Sequence, residues 1–354
     1  MILKKQNYTT RLGNHRPKQK KKKTVLVLCL LLPVMVLILA GAVYFTKLYV
    51  TAQQAVDTSY HTLERKNAIA VDPLTETTSI LLMGIDDTES RNLGSARTDS
   101  LIYLTIDPNK HEVNMVSIPR DSYTDIMYSG VALNKDKINA AYSQGEEQAT
   151  VESVENLLDV PIHYYVTFNF DAFLEIIDAL GGIEVDVPIT FSEQNAAGTL
   201  DQIHLEKGLQ TLNGEQALAL ARTRKIDDDV KRGERQQLLI QAIVDKALSV
   251  GSITKYSDAI NAVGNNMRTD LRFNDMLGIA QTGLDSGYTF NSYVFDWTDF
   301  TLNGASMVEL YSDSVDFISH RLRVSLGLDV ADERDTEDYT FQTNGIATYY
   351  GDNY

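Results

Sequence analysis

The sequence predicts an α/β fold, a mixed central β-sheet with helices on both faces, preceded by one transmembrane helix. Three observations predict it. Residues 25–45 are apolar and uncharged over 21 positions, enough to span hydrocarbon as a helix. Short apolar runs lie at 80–85, 101–106 and 113–118, the last two rich in the β-branched and aromatic residues that suit a pleated surface. Beyond them, helical stretches alternate with strand-like runs, the pattern of a sheet covered by helices.

The chain opens on a basic tail, residues 1–24, with nine Lys and Arg and no acid. The span is placed at 25–46; Pro33 lies inside it, which membranes tolerate. The apolar run is longer than a signal-peptide core, and no clear small-x-small cleavage site follows, so the anchor is retained. The tail then lies in the cytoplasm and everything after Lys47 lies outside. All 48 acids follow the anchor, against 23 of the 32 bases. That excess favours solubility and argues against nucleic-acid binding; an anionic ligand needs a local cationic site or a metal. The only cysteine, Cys29, sits in the apolar run, so the exported part has no disulfide and rests on its core.

Residues 47–78 read as a helical stalk followed by a linker around Pro73. A catalytic domain is placed at 79–250, an extension packed on it at 251–328, and an acidic, disordered tail at 329–354. Within the domain, Asp107-Pro108-Asn109 is a turn joining the second and third strands. Residues 122–136 read as a loop. A helix opens at 137–142 and closes at Gly145, and a second follows at 149–158, ended by Pro161. Residues 162–170 form a buried strand, and Asp171 caps the helix 172–180, which Gly181-Gly182 ends. A strand follows at 183–187, then a polar loop at 192–208. Asn213 and Gln216 form a capping box. A charged loop at 224–232 precedes a long helix from Glu234 to Leu248. The extension reads as helix at 256–284, strand at 291–302 and helix at 307–326.

Charged residues gather at strand ends. Asp86 and Asp87 follow the first strand, Arg97-Thr98-Asp99 precedes the second, and Arg120-Asp121 follows the third. If strands two and three pair antiparallel and the first runs beside the third, these groups meet at one end of the sheet. They could then hold a divalent metal and a phosphorylated ligand. Ordinary surface ion pairs would give the same pattern, and both readings stay open. Arg222, Arg224, Arg232 and Arg235 flank the charged loop. They suit a helix C-terminus, or a pyrophosphate gripped by guanidinium forks. Phe168, Phe170, Phe173, Leu174 and Ile177 straddle a strand and a helix at periods that ordinary core also shows. The six histidines are scattered, so no histidine-based metal site is expected.

Seven motifs occur in order: GID at 84–86, RTDS at 97–100, SIPRD at 117–121, KINAAY at 137–142, DALGGIEVDV at 178–187, LNGEQALALARTRK at 212–225 and RGERQQ at 232–237. Together they resemble the LytR–CpsA–Psr family over residues 79–248. The resemblance implies a membrane-anchored ligase of the Gram-positive envelope. Such a ligase moves a teichoic acid, capsule or related glycopolymer from a polyprenyl-pyrophosphate carrier to peptidoglycan. A hydrolase of the same substrate and a non-enzymatic envelope regulator are the alternatives. By position, Asp86 and Asp99 resemble metal-binding aspartates for Mg2+ or Mn2+, with Asp87 able to replace Asp86. Arg97, Arg120, Arg222, Arg224, Arg232 and Gln236 resemble head-group contacts, Arg235 being open as a substitute in the last pair, and Lys137 joins the substrate set. Asp99, Arg97, Arg120 and Asp121 form the catalytic set, with Asp99 or Asp121 as the base. The phenylalanine segment, with Leu174 and Ile177, then becomes the lipid-tail site. The expected partners are the lipid-linked glycopolymer, peptidoglycan and the membrane, with no nucleic acid.

Overall fold

The structure, a computed structural model, describes residues 20–64, 71–85, 97–223, 229–249, 266–336 and 338–346. The chain divides into two compact units, 1–49 and 50–354. Helix α1, Lys20–Ser59, is 40 residues long and contains the predicted span. Most side chains of that span lie outside the described residues. Among the described residues, no helix is long and apolar enough to cross a membrane.

In the second unit, α1 buries Ala52 and Val56. Tyr60 bridges to Thr269, and the His61 N–H donates to the Thr269 carbonyl at 2.8 Å. The predicted stalk is therefore docked on the domain at Tyr60 and His61. Then come β1 (Thr78–Ile85), β2 (Thr98–Asp107) and β3 (Glu112–Ser117). The predicted loop at 122–136 is instead a hairpin, β4 (Tyr123–Tyr128) and β5 (Val131–Lys137). Its turn is Ser129-Gly130, both at positive φ, as a two-residue hairpin turn requires. Helix α2 (Ala140–Leu158) is broken at Gly145-Glu146, close to the predicted pair of helices. Its first turn starts after Lys137, which belongs to β5.

Strand β6 (Tyr164–Asn169) leads into α3 (Phe170–Ala179). The cap is Asn169, whose side chain accepts from Ala172 N at 2.8 Å, and not Asp171. Strand β7 (Ile183–Val187) is followed by β8 (Phe191–Glu193), β9 (Ile203–Leu205) and β10 (Gly208–Leu212), in the stretch largely predicted as loop. Helix α4 (Gly214–Arg222) carries the predicted Asn213–Gln216 capping box. Helix α5 (Asp229–Leu248) starts earlier than Glu234. The extension supplies β11 (Met267–Thr269), α6 (Phe273–Ser286), β12 (Thr289–Val294), β13 (Trp297–Leu302), β14 (Ala305–Leu310) and α7 (Ser312–Ser325). The predicted helix at 307–326 thus begins as a strand.

The central sheet has the order β11-β6-β1-β2-β3-β12. Strand β1 pairs antiparallel with β2 and parallel with β6; β2 pairs antiparallel with β3; β3 pairs parallel with β12. The sheet is mixed, as expected, but β1 lies beside β2 and not beside β3. Both of its edge strands come from the extension, which completes the sheet. On one face, Leu81, Met83, Leu101, Tyr103 and Val116 pack with Val151, Val154 and Leu158 of α2 and Val315, Ile318 and Leu322 of α7. On the other, Ile80, Ile102, Leu104 and Met115 meet Ile240 of α5 and Ile279 of α6. Covering on both faces explains why these strands read as continuous apolar runs. A third core joins α3, α4, β7 and α5 through Phe173, Ile177, Val185, Leu218 and Leu239.

The predicted disordered tail is ordered in its described part. Phe341 stacks on Phe317 with centroids 4.5 Å apart, and Thr343 Oγ1 donates to Asp313 at 2.6 Å. Among the described residues, His320, Asp332 and Asp335 are close enough to share a cation. Arginines already answer these acids: Arg321 reaches Asp335 at 3.2 Å, and hydrogen bonds from Arg334 hold the Asp332 carboxyl down at about 2. We read the group as an ion-pair clasp between the tail and α7.

Candidate active site

The antiparallel pairing of β1 with β2 and of β2 with β3 brings the end of β1, the start of β2 and the end of β3 to one edge of the sheet. Ile85 stands opposite Thr98, and Ile118 N donates to the Leu101 carbonyl at 2.9 Å. The three strand ends therefore meet, with β2 as the central strand in place of the expected third, and of the charged groups expected there Asp99 and Arg120 come together. Here Asp99 and Arg120 face a cavity of about 420 Å³. The turn that presents Arg120 is fixed by Ser122, whose N–H and Oγ both bond the Pro119 carbonyl, at 3.0 and 2.7 Å. Gly84 keeps the floor open: a Cβ there would stand 3.2 Å from Ser100 Cβ and 3.6 Å from the Phe168 ring.

Arg120 is the junction of a charge chain. Its Nη1 pairs with Asp99 Oδ1. Its Nε is buried with no hydrogen-bond partner and lies 3.7 Å from Asp121 Oδ2. Asp121 Oδ1 in turn accepts from Lys137 Nζ at 2.8 Å. Lys137 and Asp121 do not line the cavity; they stand behind Arg120 and orient it. Arg97 is exposed and does not line the cavity either.

Helix α5 brings the opposite wall. Gly233 sits so tightly on β3 that a Cβ would meet Ser117 Oγ at 2.6 Å. This close approach places Arg232 and Gln236 in the cavity wall, and Ser100 Oγ donates to Gln236 Oε1 at 2.9 Å. Arg235 points elsewhere: Nε donates to the Leu220 carbonyl at 3.0 Å and Nη2 to the Thr223 carbonyl at 2.6 Å. It satisfies the open C-terminal carbonyls of α4 and is a structural residue. Of the two alternatives, the structure brings Gln236 to the cavity. Arg222, at the end of α4, stands over the Phe170 ring at 5.7 Å and donates to the Asn195 carbonyl at 3.1 Å. Asp86, Asp87 and Arg224 lie outside the described residues.

The remaining lining is apolar. Phe168, Phe170 and Phe173 line the cavity as the lipid reading requires. Leu174 and Ile177 do not. Leu174 packs its backbone where a Cβ on Gly214 would come within 2.5 Å of its carbonyl oxygen, and Ile177 is fully buried in the third core. Leu218, Leu239 and Ile240 complete the apolar wall, with Glu193 and Gln194 beside them. Sequence reasoning missed these five. The helix stripe of α5 was legible, but which of its residues bordered a void was not.

Comparison with known proteins follows the geometry. The chain matches the LytR_cpsA_psr family over residues 45–323. It is 40% identical over 250 residues to a polyisoprenyl-teichoic acid–peptidoglycan teichoic acid transferase, TagV, of Bacillus subtilis, covering 69% of this chain and 63% of that one. It is 38% identical to TagU of the same organism, named for the same transfer, covering 70% of this chain and 78% of that one. Among solved structures it resembles the LytR-CPS2A-psr family protein YwtF (TagT) with bound octaprenyl pyrophosphate lipid. There the TM-score is 0.58 and the identity 29%, covering 74% of this chain and 95% of that one.

Proposed function

The chain belongs to the LytR–CpsA–Psr family, and on that premise we propose that it transfers an anionic glycopolymer from a polyprenyl-pyrophosphate carrier to peptidoglycan. One observation carries the reading: a single cavity has an apolar part, built on Phe168, Phe170, Phe173, Leu218, Leu239 and Ile240, and a cationic part, built on Arg120, Arg222 and Arg232. An isoprenoid pyrophosphate has the same two halves.

In the proposed reaction, an acceptor hydroxyl of peptidoglycan attacks the phosphorus bonded to the glycopolymer. The bond from that phosphorus to the bridging oxygen breaks, and polyprenyl phosphate leaves. Such a transfer needs positioning and charge neutralisation more than covalent help from the protein. The arginine forks grip the phosphates and take up the charge that grows on the leaving group. The hydroxyl proton passes to a carboxylate. Of the two expected bases, Asp99 lines the cavity, whereas Asp121 is held between Lys137 and Arg120, so Asp99 is the better placed.

A hard divalent ion, Mg2+ or Mn2+, fits the donor chemistry at this mouth. Asp99 offers carboxylate oxygen at the cavity, and Asp86 or Asp87 follows β1 in sequence. When bound, the ion would neutralise pyrophosphate charge. Transfer is tested by incubating the full chain in detergent with lipid-linked polymer and peptidoglycan. Polymer attached to wall fragments is expected; polymer released free in its place would favour the hydrolase reading.

The span at 25–46 and an outside catalytic unit complete the proposal. The basic tail and the uncharged run of 21 residues support it. Protease added to intact protoplasts should digest the chain beyond residue 50; protection of that region would sink the topology.

A further inference from the structure

An in-line displacement at phosphorus brings the attacking oxygen in opposite the leaving one. On the transferase reading the leaving group is polyprenyl phosphate, whose tail would lie along Phe168, Phe170 and Phe173. The acceptor would then reach Asp99 from outside that apolar wall. A chain of contacts leads out of the cavity from Asp99. Asp99 and Arg120 line the cavity, Asp121 and Lys137 do not, and Lys137 is the last residue of β5. In the register of the hairpin, Lys137 stands opposite Tyr123. The chain of contacts thus ends on one face of β4–β5.

That face points away from the helix behind it. Along β4, Thr124 and Ile126 are buried, Ile126 clustering with Ala141 and Ala149 of α2, while Tyr123, Asp125 and Met127 are half-buried on the other side. Opposed residues share a face, so Lys137 and Lys135 join Tyr123 and Asp125, and Lys135 Nζ lies 3.7 Å from Asp125 Oδ2. Beside Tyr123 stands the half-buried Phe300 ring of β13, edge-on with centroids 5.6 Å apart. The hairpin is held in place. Met127 N–H donates to Ser153 Oγ at 2.9 Å and Gly130 N–H to Glu152 Oε2 at 2.9 Å, both on α2. Val308 N–H donates to the Asp121 carbonyl at 2.9 Å, which ties the β13–β14 hairpin to the base of this one. The face is therefore preorganised.

From the site outward it presents an aromatic pair, then a rung of one carboxylate and one ammonium. That order complements a sugar chain. A pyranose has a face of C–H groups that rests favourably on the negative face of an aromatic ring. Its hydroxyl and acetamido groups need acceptors and donors, which the Asp125–Lys135 rung supplies. The six residues of β4 run about 20 Å, room for more than one sugar.

Resting on the function proposed above, we propose that the outer face of the β4–β5 hairpin, with Tyr123 and Phe300 nearest the site, is the docking surface for the acceptor glycan strand of peptidoglycan. The test uses the full chain in detergent and three probes: glycan strands freed of their stem peptides, the free stem peptides, and a polyprenyl pyrophosphate. The wild-type chain is expected to bind the glycan strands. Tyr123→Leu, which keeps bulk and removes the ring, is expected to weaken that binding about tenfold, the size of losing one aromatic contact, with the affinity for polyprenyl pyrophosphate unchanged. Tyr123→Phe is expected to keep it. The double variant Asp125→Ala/Lys135→Ala, which leaves the ring pair alone, is expected to weaken glycan binding by less. Glycan binding at the wild-type level in both Tyr123→Leu and the double variant would overturn the surface. Capture of the stem peptides in place of glycan would overturn it too. So would an equal loss for glycan and polyprenyl pyrophosphate, the mark of a ring that only props the site. A chain that binds glycan through Tyr123 but no polyprenyl pyrophosphate would uphold the surface and overturn the transferase reading, so the two failures are separable.

Discussion

Asp99→Ala is expected to lower transfer of lipid-linked polymer to peptidoglycan by about two to three orders of magnitude, while the melting temperature moves little. That size is typical of losing one preorganised charge contact at a reacting centre. Asp99 qualifies on geometry: it lines the cavity, its side chain is 31% exposed and so open to a ligand, and it pairs with Arg120. On the proposed function, its loss would remove the proposed proton acceptor and a proposed donor for a divalent ion. A surface ion pair at this position would predict the opposite, a stability cost under about 1 kcal/mol and an unchanged rate. Turnover is measured at saturating magnesium with melting recorded beside it. Near-wild-type turnover would remove Asp99 from the chemistry.

Arg120→Ala is expected to cost a similar factor, and Arg120→Lys to recover little of it. A lysine restores the charge but not the planar fork that can face Asp99, Asp121 and a phosphate together. The double variant Asp99→Ala/Arg120→Ala is expected to fall only slightly below the worse single one, because two groups in direct contact act as a unit. Full additivity of the two losses would mean that each works alone, and the charge chain from Lys137 to Asp99 would lose its meaning. If Arg120→Ala instead raised KM alone with kcat kept, Arg120 would be a binding contact with no share in the transition state.

Much of the site was legible because its chemistry is written in short strings at strand ends. Asp99, Arg120, Arg222, Arg232 and Gln236 were all expected in one site, and all five line the cavity. Three residues show where strings mislead. Arg235 is one position from Gln236, and on a helix one position is about 100°, so it faces the carbonyls at the end of α4. Asp121 shares a motif with Arg120, and Lys137 opens another motif, yet the two neutralise each other away from the cavity. Sequence adjacency does not say which of two charges meets the ligand and which orients its neighbour.

By itself the sequence determined the kinds of element in the sheet and the chemistry gathered at its edge. Apolar runs of the right length with turn residues between them pair as strands whatever surrounds them, and the capping box at Asn213 is a purely local bond pair. The tertiary structure alone decided the strand order, with β2 and not β3 at the centre of the converging ends. It alone made the extension part of the sheet, since an edge strand finds its partner by contact across the chain, not by its own pattern. The boundary between core and cavity was decided there too. Phe173 and Ile177 lie one helical turn apart and are equally apolar, and only packing makes the first a wall of the void and the second a filled interior.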